Sequence, residues 1–165
     1  MLSIRRTQEN DLNRINDIFD IAREYMHSHG NKNQWNGTYP NLDAVRGDMN
    51  TNSSYVVCDD DKVVAYFALI IGEEISYNII ENGQWLNDEP YGTIHRVASD
   101  GSVHGIFDFV LNFCLSKINN IKVDTHEDNA PMRHQLIKNG FKYCGIIYVK
   151  QDHTARMAYQ LCKKS

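Results

Sequence analysis

Apolar and polar positions along this chain switch between two periods, and each switch marks a predicted element. Leu2-Ser3-Ile4-Arg5-Arg6 alternates at period two, as a short first strand does. From Leu12 the period lengthens: Leu12, Ile15, Ile18, Phe19, Ala22 and Met26 recur at three and four residues and share one face of a helix. Gly30 and the polar run Asn31-Lys32-Asn33 close that helix. Asn41, after Tyr39-Pro40, is a good N-cap for a second short helix carrying Leu42, Val45 and Met49. Residues 54–58 and 62–71 are β-branched and aromatic, and Asp59-Asp60-Asp61 between them reads as a hairpin turn.

Between Gly72 and Glu89 the pattern is ambiguous: Ile75, Tyr77 and Ile79 alternate, but strand and helix both remain open. A strand then runs over 91–98, and after Gly101 a helical stripe follows in Ile106, Phe107, Val110, Phe113 and Cys114. Residues 121–126 predict a further strand. The next helix is capped by Asn129 or Asp128, carries Pro131 in its first turn, and stops at Gly140. Strands over 142–150 and 155–162 end the chain, joined through Gln151-Asp152-His153-Thr154. The order β-α-α-β-β-β-α-β-α-β-β defines an α/β (α+β) fold, a mixed sheet covered by helices. No repeat or linker interrupts it, so residues 1–165 are read as a single domain.

Composition narrows the class. With 42% hydrophobic and 10% aromatic residues, the chain has material for a core and is not disordered. Seventeen Lys and Arg against 21 Asp and Glu give a net charge of −4 without a basic block, which argues against nucleic acid as a partner. Four cysteines (Cys58, Cys114, Cys144, Cys162) lack the spacing of a zinc ribbon or a disulfide framework and read as small apolar residues in a reducing compartment. No signal-peptide or membrane-spanning run is present, so a cytoplasmic protein is expected. His27 and His29 diverge at i, i+2, and the acidic triplet lacks a calcium-loop pattern, so no metal site is expected.

The chemistry concentrates in two strand–helix units. In the first, strand 94–98 feeds a loop with Gly101 and Gly105 and then a helix, and helix N-termini offer unpaired N–H groups to phosphates. In the second, Asn129-Ala130-Pro131-Met132 opens a helix that ends in Lys138-Asn139-Gly140-Phe141. With these two units in this order, the chain resembles the GNAT superfamily of acyl-CoA-dependent N-acetyltransferases over almost its whole length. The resemblance implies a mostly antiparallel sheet of about seven strands flanked by about four helices. It also departs from the family pattern. Aligned on Gly105, Ser102 stands where Gln or Arg is usual and Phe107 where Gly or Ala is usual. Leu136 replaces the tyrosine that in many members protonates the leaving thiolate.

The resemblance implies acetyl-CoA as co-substrate and CoA as product, gripped by main chain at Val97, Ser99, His104, Gly105, Ile106 and Phe107, with Asn129 beside the pantetheine arm and Lys138 in the matching motif. It implies direct attack by an amine of a small molecule or peptide. An alkylammonium must first lose a proton, and His95 and His126 are the candidate bases. Tyr148 replaces the missing acid if it faces the cleft. Trp35 and Tyr39 either floor the acceptor pocket or plug the core, and Glu73 and Glu74 lie near the expected acceptor cleft. The sheet edge at the final hairpin allows a homodimer. The altered loop and Leu136 motivate the alternative of a non-catalytic acyl-CoA-binding sensor.

Overall fold

A computed structural model describes the chain except residues 33, 36, 151, 152, 164 and 165. Asn33 of the first helix stop, and Gln151 and Asp152 of the last connection, therefore lie outside the described residues. The elements are β1 (Leu2–Arg6), α1 (Leu12–Ser28), α2 (Leu42–Asn50), β2 (Ser54–Asp59), β3 (Lys62–Ile71), β4 (Gly92–Ser99), α3 (Ile106–Lys117), β5 (Asn120–Thr125), α4 (Ala130–Lys138), β6 (Lys142–Tyr148) and β7 (Ala155–Cys162). The expected order of elements is observed. The expected caps also form: Asn41 accepts from the Ala44 N–H at 3.0 Å and Asn129 from the Met132 N–H at 3.2 Å. Before α1, Asp11 accepts from the Gln8 N–H and receives a two-pronged contact from Arg5, which holds its carboxyl below the usual range.

The seven strands form one sheet in the order β1-β2-β3-β4-β5-β7-β6. Every neighbouring pair is antiparallel except β4–β5, which is parallel. Alternation of side chains sends the two sets of residues to opposite faces. On one face α1 and α2 pack Ile15, Ile18, Phe19 and Val45 against Val56, Tyr66 and Ala98. On the other, α3 and α4 pack Val110, Leu111, Cys114 and Leu136 against Phe67, Ile94, Val123 and Tyr159. Three of the four cysteines are buried and all are free; Cys162 is only partly covered.

The ambiguous stretch between β3 and β4 is neither strand nor long helix. It holds a single 3-10 turn at Ile75–Tyr77 and otherwise crosses the α1 face of the sheet as loop, with Tyr77 packing on Ile147 and Ala158. Its approach to β6 demands glycine. A Cβ on Gly83 would sit 1.9 Å from the Cys144 carbonyl oxygen, and one on Gly145 2.6 Å from that of Glu81. Lys122, buried on β5, is sandwiched by Trp85 and Tyr91 of this loop at 4.1 and 3.9 Å from the ring centres, and burial pushes its pKa down. Among the described residues no helix is long and apolar enough to cross a membrane.

Candidate active site

The site is built by a failure of pairing. β4 and β5 share register only at Gly92–Ile121 and Thr93–Lys122 and then part. β4 is also bulged against β3 between Ala98 and His95, with Arg96 at φ 56°. A bulge adds twist and re-aims side chains, at a backbone conformation unfavourable for a non-glycine residue. Between the parted strands lies a cavity of about 500 Å³. It is lined by Ile94, His95, Arg96 and Val97 of β4 and by Val123, Asp124 and Thr125 of β5. Met26, Trp35 and Tyr39 close it on the α1 side, and Asn129 and Met132 on the α4 side.

Arg96 is held by a two-pronged contact to Asp48 (Nε–Oδ2 2.9 Å and a short Nη2–Oδ1 bond) and donates to the Tyr39 hydroxyl at 3.2 Å. Burial alone would lower its pKa, but the bonds to Asp48 and Tyr39 outweigh it and keep the guanidinium charged. Asp48 also accepts from Tyr66, whose phenol burial pushes up. This side of the cavity is therefore neutralised internally.

Next to Arg96 on β4 is His95, whose Nε2 lies 3.8 Å from Glu74 Oε1 with the side chain only 21% exposed. Enclosure pushes the His95 pKa below its usual value of 6.5; Asp124 pulls it back up, the Arg96 charge lowers it further, and Glu74 again opposes. The imidazole is thus held neutral, as a proton acceptor, at neutral pH. Asp124 accepts from the Tyr77 hydroxyl at 2.6 Å, and burial keeps that phenol protonated. Glu74 is fixed by the Ser76 N–H at 2.5 Å.

The floor is organised by Gln34. Its Oε1 accepts from Asn31 Nδ2, the His126 N–H, Asn129 Nδ2 and the Thr125 hydroxyl at 3.1–3.4 Å. That one acceptor ties the loop after α1 to the end of β5 and the start of α4.

In the loop between β4 and α3, Asp100 Oδ1 accepts from the Ser102 N–H and hydroxyl, while Oδ2 meets Arg14 at 2.5 Å. Ser99 caps the Gly101 N–H. Gly105, at φ 78°, turns the chain into α3. Ile106 and Phe107 bury their side chains in the core, so the departure at Phe107 is absorbed inward. The N–H groups of His104, Gly105, Ile106 and Phe107 have no partner among the described residues.

The expected site residues divide accordingly. His95, Val97, Asn129, Trp35, Tyr39 and Glu74 line the cavity. Trp35 is 5% exposed, packs in the α1 core and is among the residues that line the cavity. Ser99, His104, Gly105, Ile106 and Phe107 form the loop beside it. His126 lies outside the lining, with Nδ1 accepting from the Asp128 N–H. Glu73 borders a smaller depression of about 250 Å³ with Ile75 and Lys150. Tyr148 does not face the cavity: it is 41% exposed and its hydroxyl points to Glu81 at 3.5 Å. Lys138 pairs with Asp108 of α3 at 3.6 Å, away from the cavity. His27 and His29 turn to different main-chain carbonyls, of Trp35 and Tyr25. The residues that sequence reasoning missed are Gln34, Asp48, Tyr77, Asp124 and Arg156. Only Asp124, two residues before the candidate His126 on a predicted strand, carried a usable signal.

Solved structures with this architecture include acetyltransferases. A GNAT-family acetyltransferase from Streptococcus agalactiae matches with 30% identity over 99% of this chain and 96% of its own, at a TM-score of 0.90. A GNAT-family acetyltransferase from Listeria monocytogenes matches at 14% identity, 98% and 95% coverage and a TM-score of 0.71. The ribosomal-protein-S18-alanine N-acetyltransferase of Escherichia coli matches at 10% identity, 100% and 96% coverage and a TM-score of 0.58. No protein-family model and no curated protein sequence matches the chain. The fold and the parted strands define the acyltransferase class, and the chain belongs to the GNAT family of acetyltransferases.

Proposed function

We propose that this protein is an N-acetyltransferase that moves an acetyl group from acetyl-CoA to a primary amine of a small molecule or peptide, by direct attack with both substrates bound. The observation that carries this reading is His95, held neutral between Glu74 and Asp124 in the cavity where β4 and β5 part. The residues present fit CoA: the β4 edge beyond Thr93 has no strand partner, and the free N–H groups at 104–107 suit a diphosphate. Acetyl-CoA supplies an activated acetyl thioester.

The chain's own residues supply the rest. Glu74 and Asp124 attract an ammonium and His95 takes one proton from it. The neutral amine attacks the thioester carbonyl, and its second proton passes to solvent as the C–S bond breaks and the amide forms. Leu136 is fully buried and has no proton to give. A thiol of pKa near 8.5 leaves as thiolate without one and is protonated by solvent.

The test is thiol release from acetyl-CoA with a panel of primary amines. His95→Ala is expected to lower kcat/KM by about 10²–10⁴ while leaving CoA affinity unchanged. Because the folded His95 pKa lies below 6.5, the acid limb of the rate profile is expected below that pH. Tight CoA binding with no turnover of any amine would instead support an acyl-CoA sensor.

A further inference from the structure

Two arginines line the same cavity, Arg96 half-buried and Arg156 buried, and among the described residues only Arg96 has an acid. Arg96 is closed by Asp48. Arg156, 8% exposed, donates Nη1 to the Thr154 hydroxyl at 2.6 Å and forms no ion pair among the described residues. With one hydroxyl for a partner, the Arg156 guanidinium keeps donors that face the cavity it lines, where an entering anion would meet them. The remaining donors keep the planar fork that fits a carboxylate.

Register places this fork relative to the base. Ala158 on β7 stands directly opposite Asp124 on β5, and Arg156, two residues earlier on the same strand, shares that face of the sheet. Among the described residues the cavity wall therefore carries one cation without an acid, diagonal to Asp124, with Glu74 and His95 across the gap between the strands. Two carboxylates and a neutral imidazole suit an amine, and an unpaired guanidinium suits an acid on the same molecule.

We infer that the acceptor is an amine that also carries a carboxylate, held by Arg156 while its amino group is presented to His95. The inference rests on the reading of this cavity as the acceptor site and adds the class of molecule that fills it. Arg156 is then a specificity-determining residue. The carboxylate completes a charge set that the described residues leave open.

The experiment compares three matched acceptors: an amino acid, its amide and the corresponding decarboxylated amine, assayed for thiol release. The amino acid is expected to exceed the other two in kcat/KM by tenfold or more. In Arg156→Gln the KM for the amino acid rises at least tenfold and the preference collapses toward one, while Arg156→Lys, a point charge without the fork, falls between. Equal or better turnover of the amide and the amine by the wild type overturns the proposal and leaves N-acetyl transfer standing. If no amine releases thiol, N-acetyl transfer fails, and binding still decides Arg156. Calorimetry with an N-acetylated amino acid and its amide is expected to show the acid at least tenfold tighter. Equal affinities overturn the proposal. Because these wild-type arms need no variant, misfolding of Arg156→Gln does not spoil them.

Discussion

Two strand-to-helix junctions flank the cavity, and they are finished in opposite ways. At the β5–α4 junction the donors near the turn are taken up inside the protein: Asn129 caps Met132, and Gln34 gathers Thr125, His126 and Asn129. At the β4–α3 junction, side chains bind only the first half of the loop, through Ser99 and Asp100. The N–H groups from His104 to Phe107 point to no partner among the described residues. Backbone donors in folded proteins are nearly always paired, with protein or with water. The first junction is thus a clamp that fixes the two sheet halves at their parting, and the second leaves its donors open, as the proposed grip on a diphosphate requires.

The most damaging way to break this contrast is at the clamp. Gln34→Ala removes one acceptor from four donors, three of which are at the buried junction. We expect a loss of about 2–4 kcal/mol in denaturant unfolding, from desolvated donors left unmet. A loss below 0.5 kcal/mol would show that water replaces the amide and that no clamp exists.

The open junction is probed by charge. His104 is exposed, so His104→Glu leaves packing alone and places an acid just ahead of α3. Stability is expected to hold or rise by about 0.3–1 kcal/mol, because an anion there complements the helix dipole. CoA affinity is expected to fall roughly five- to tenfold, equivalent to about 1–1.4 kcal/mol by the usual conversion. The opposite signs make the result diagnostic. If affinity and stability move together, the loop does not bind the diphosphate.

Smaller still is the cap. Asn129→Ala should cost about 1 kcal/mol of stability through the lost bond to Met132. Affinity for CoA should change little if this junction is structural. A drop as large as that of His104→Glu would give Asn129 a direct ligand contact.

What could be seen beforehand follows from how local each feature is. Asn129, Pro131 and Gly140 delimit α4 by chemistry within a few residues, and the helix forms between them. The loop of residues 72–91 could not be read that way. It is held by partners far along the chain: Leu86 N–H on Gln160, Glu81 paired with Ile146, and Trp85 and Tyr91 around Lys122. The site divides along the same line. His95 stands out as a titratable residue on a strand before a glycine loop. Asp48 matters only because folding brings it to Arg96, 48 residues away, and Gln34 only because it reaches Thr125, 91 away. Arg156 is unremarkable until burial is known, since an exposed arginine needs no acid.

The smallest effect tests what fixes the bound half of the open loop. Burial opposes ionisation of Asp100, but the Ser102 hydrogen bonds and the charges of Arg14 and Lys62 prevail and hold its pKa below the usual 3.8. A carboxyl whose folded pKa is depressed adds stability that is fully present above its unfolded pKa and is lost as pH falls through the folded one. The Asp100→Asn variant should therefore be less stable than wild type by a constant amount from pH 5 to 8, about 1 kcal/mol or less for a partly exposed partner such as Arg14. Below pH 3.8 the two curves should converge. Asparagine still accepts from the Ser102 N–H, so the free donors at 104–107 stay in place and CoA affinity at pH 7 should hold. A gap that persists unchanged at pH 3 would mean that the shape of the residue, and not its charge, sets the loop.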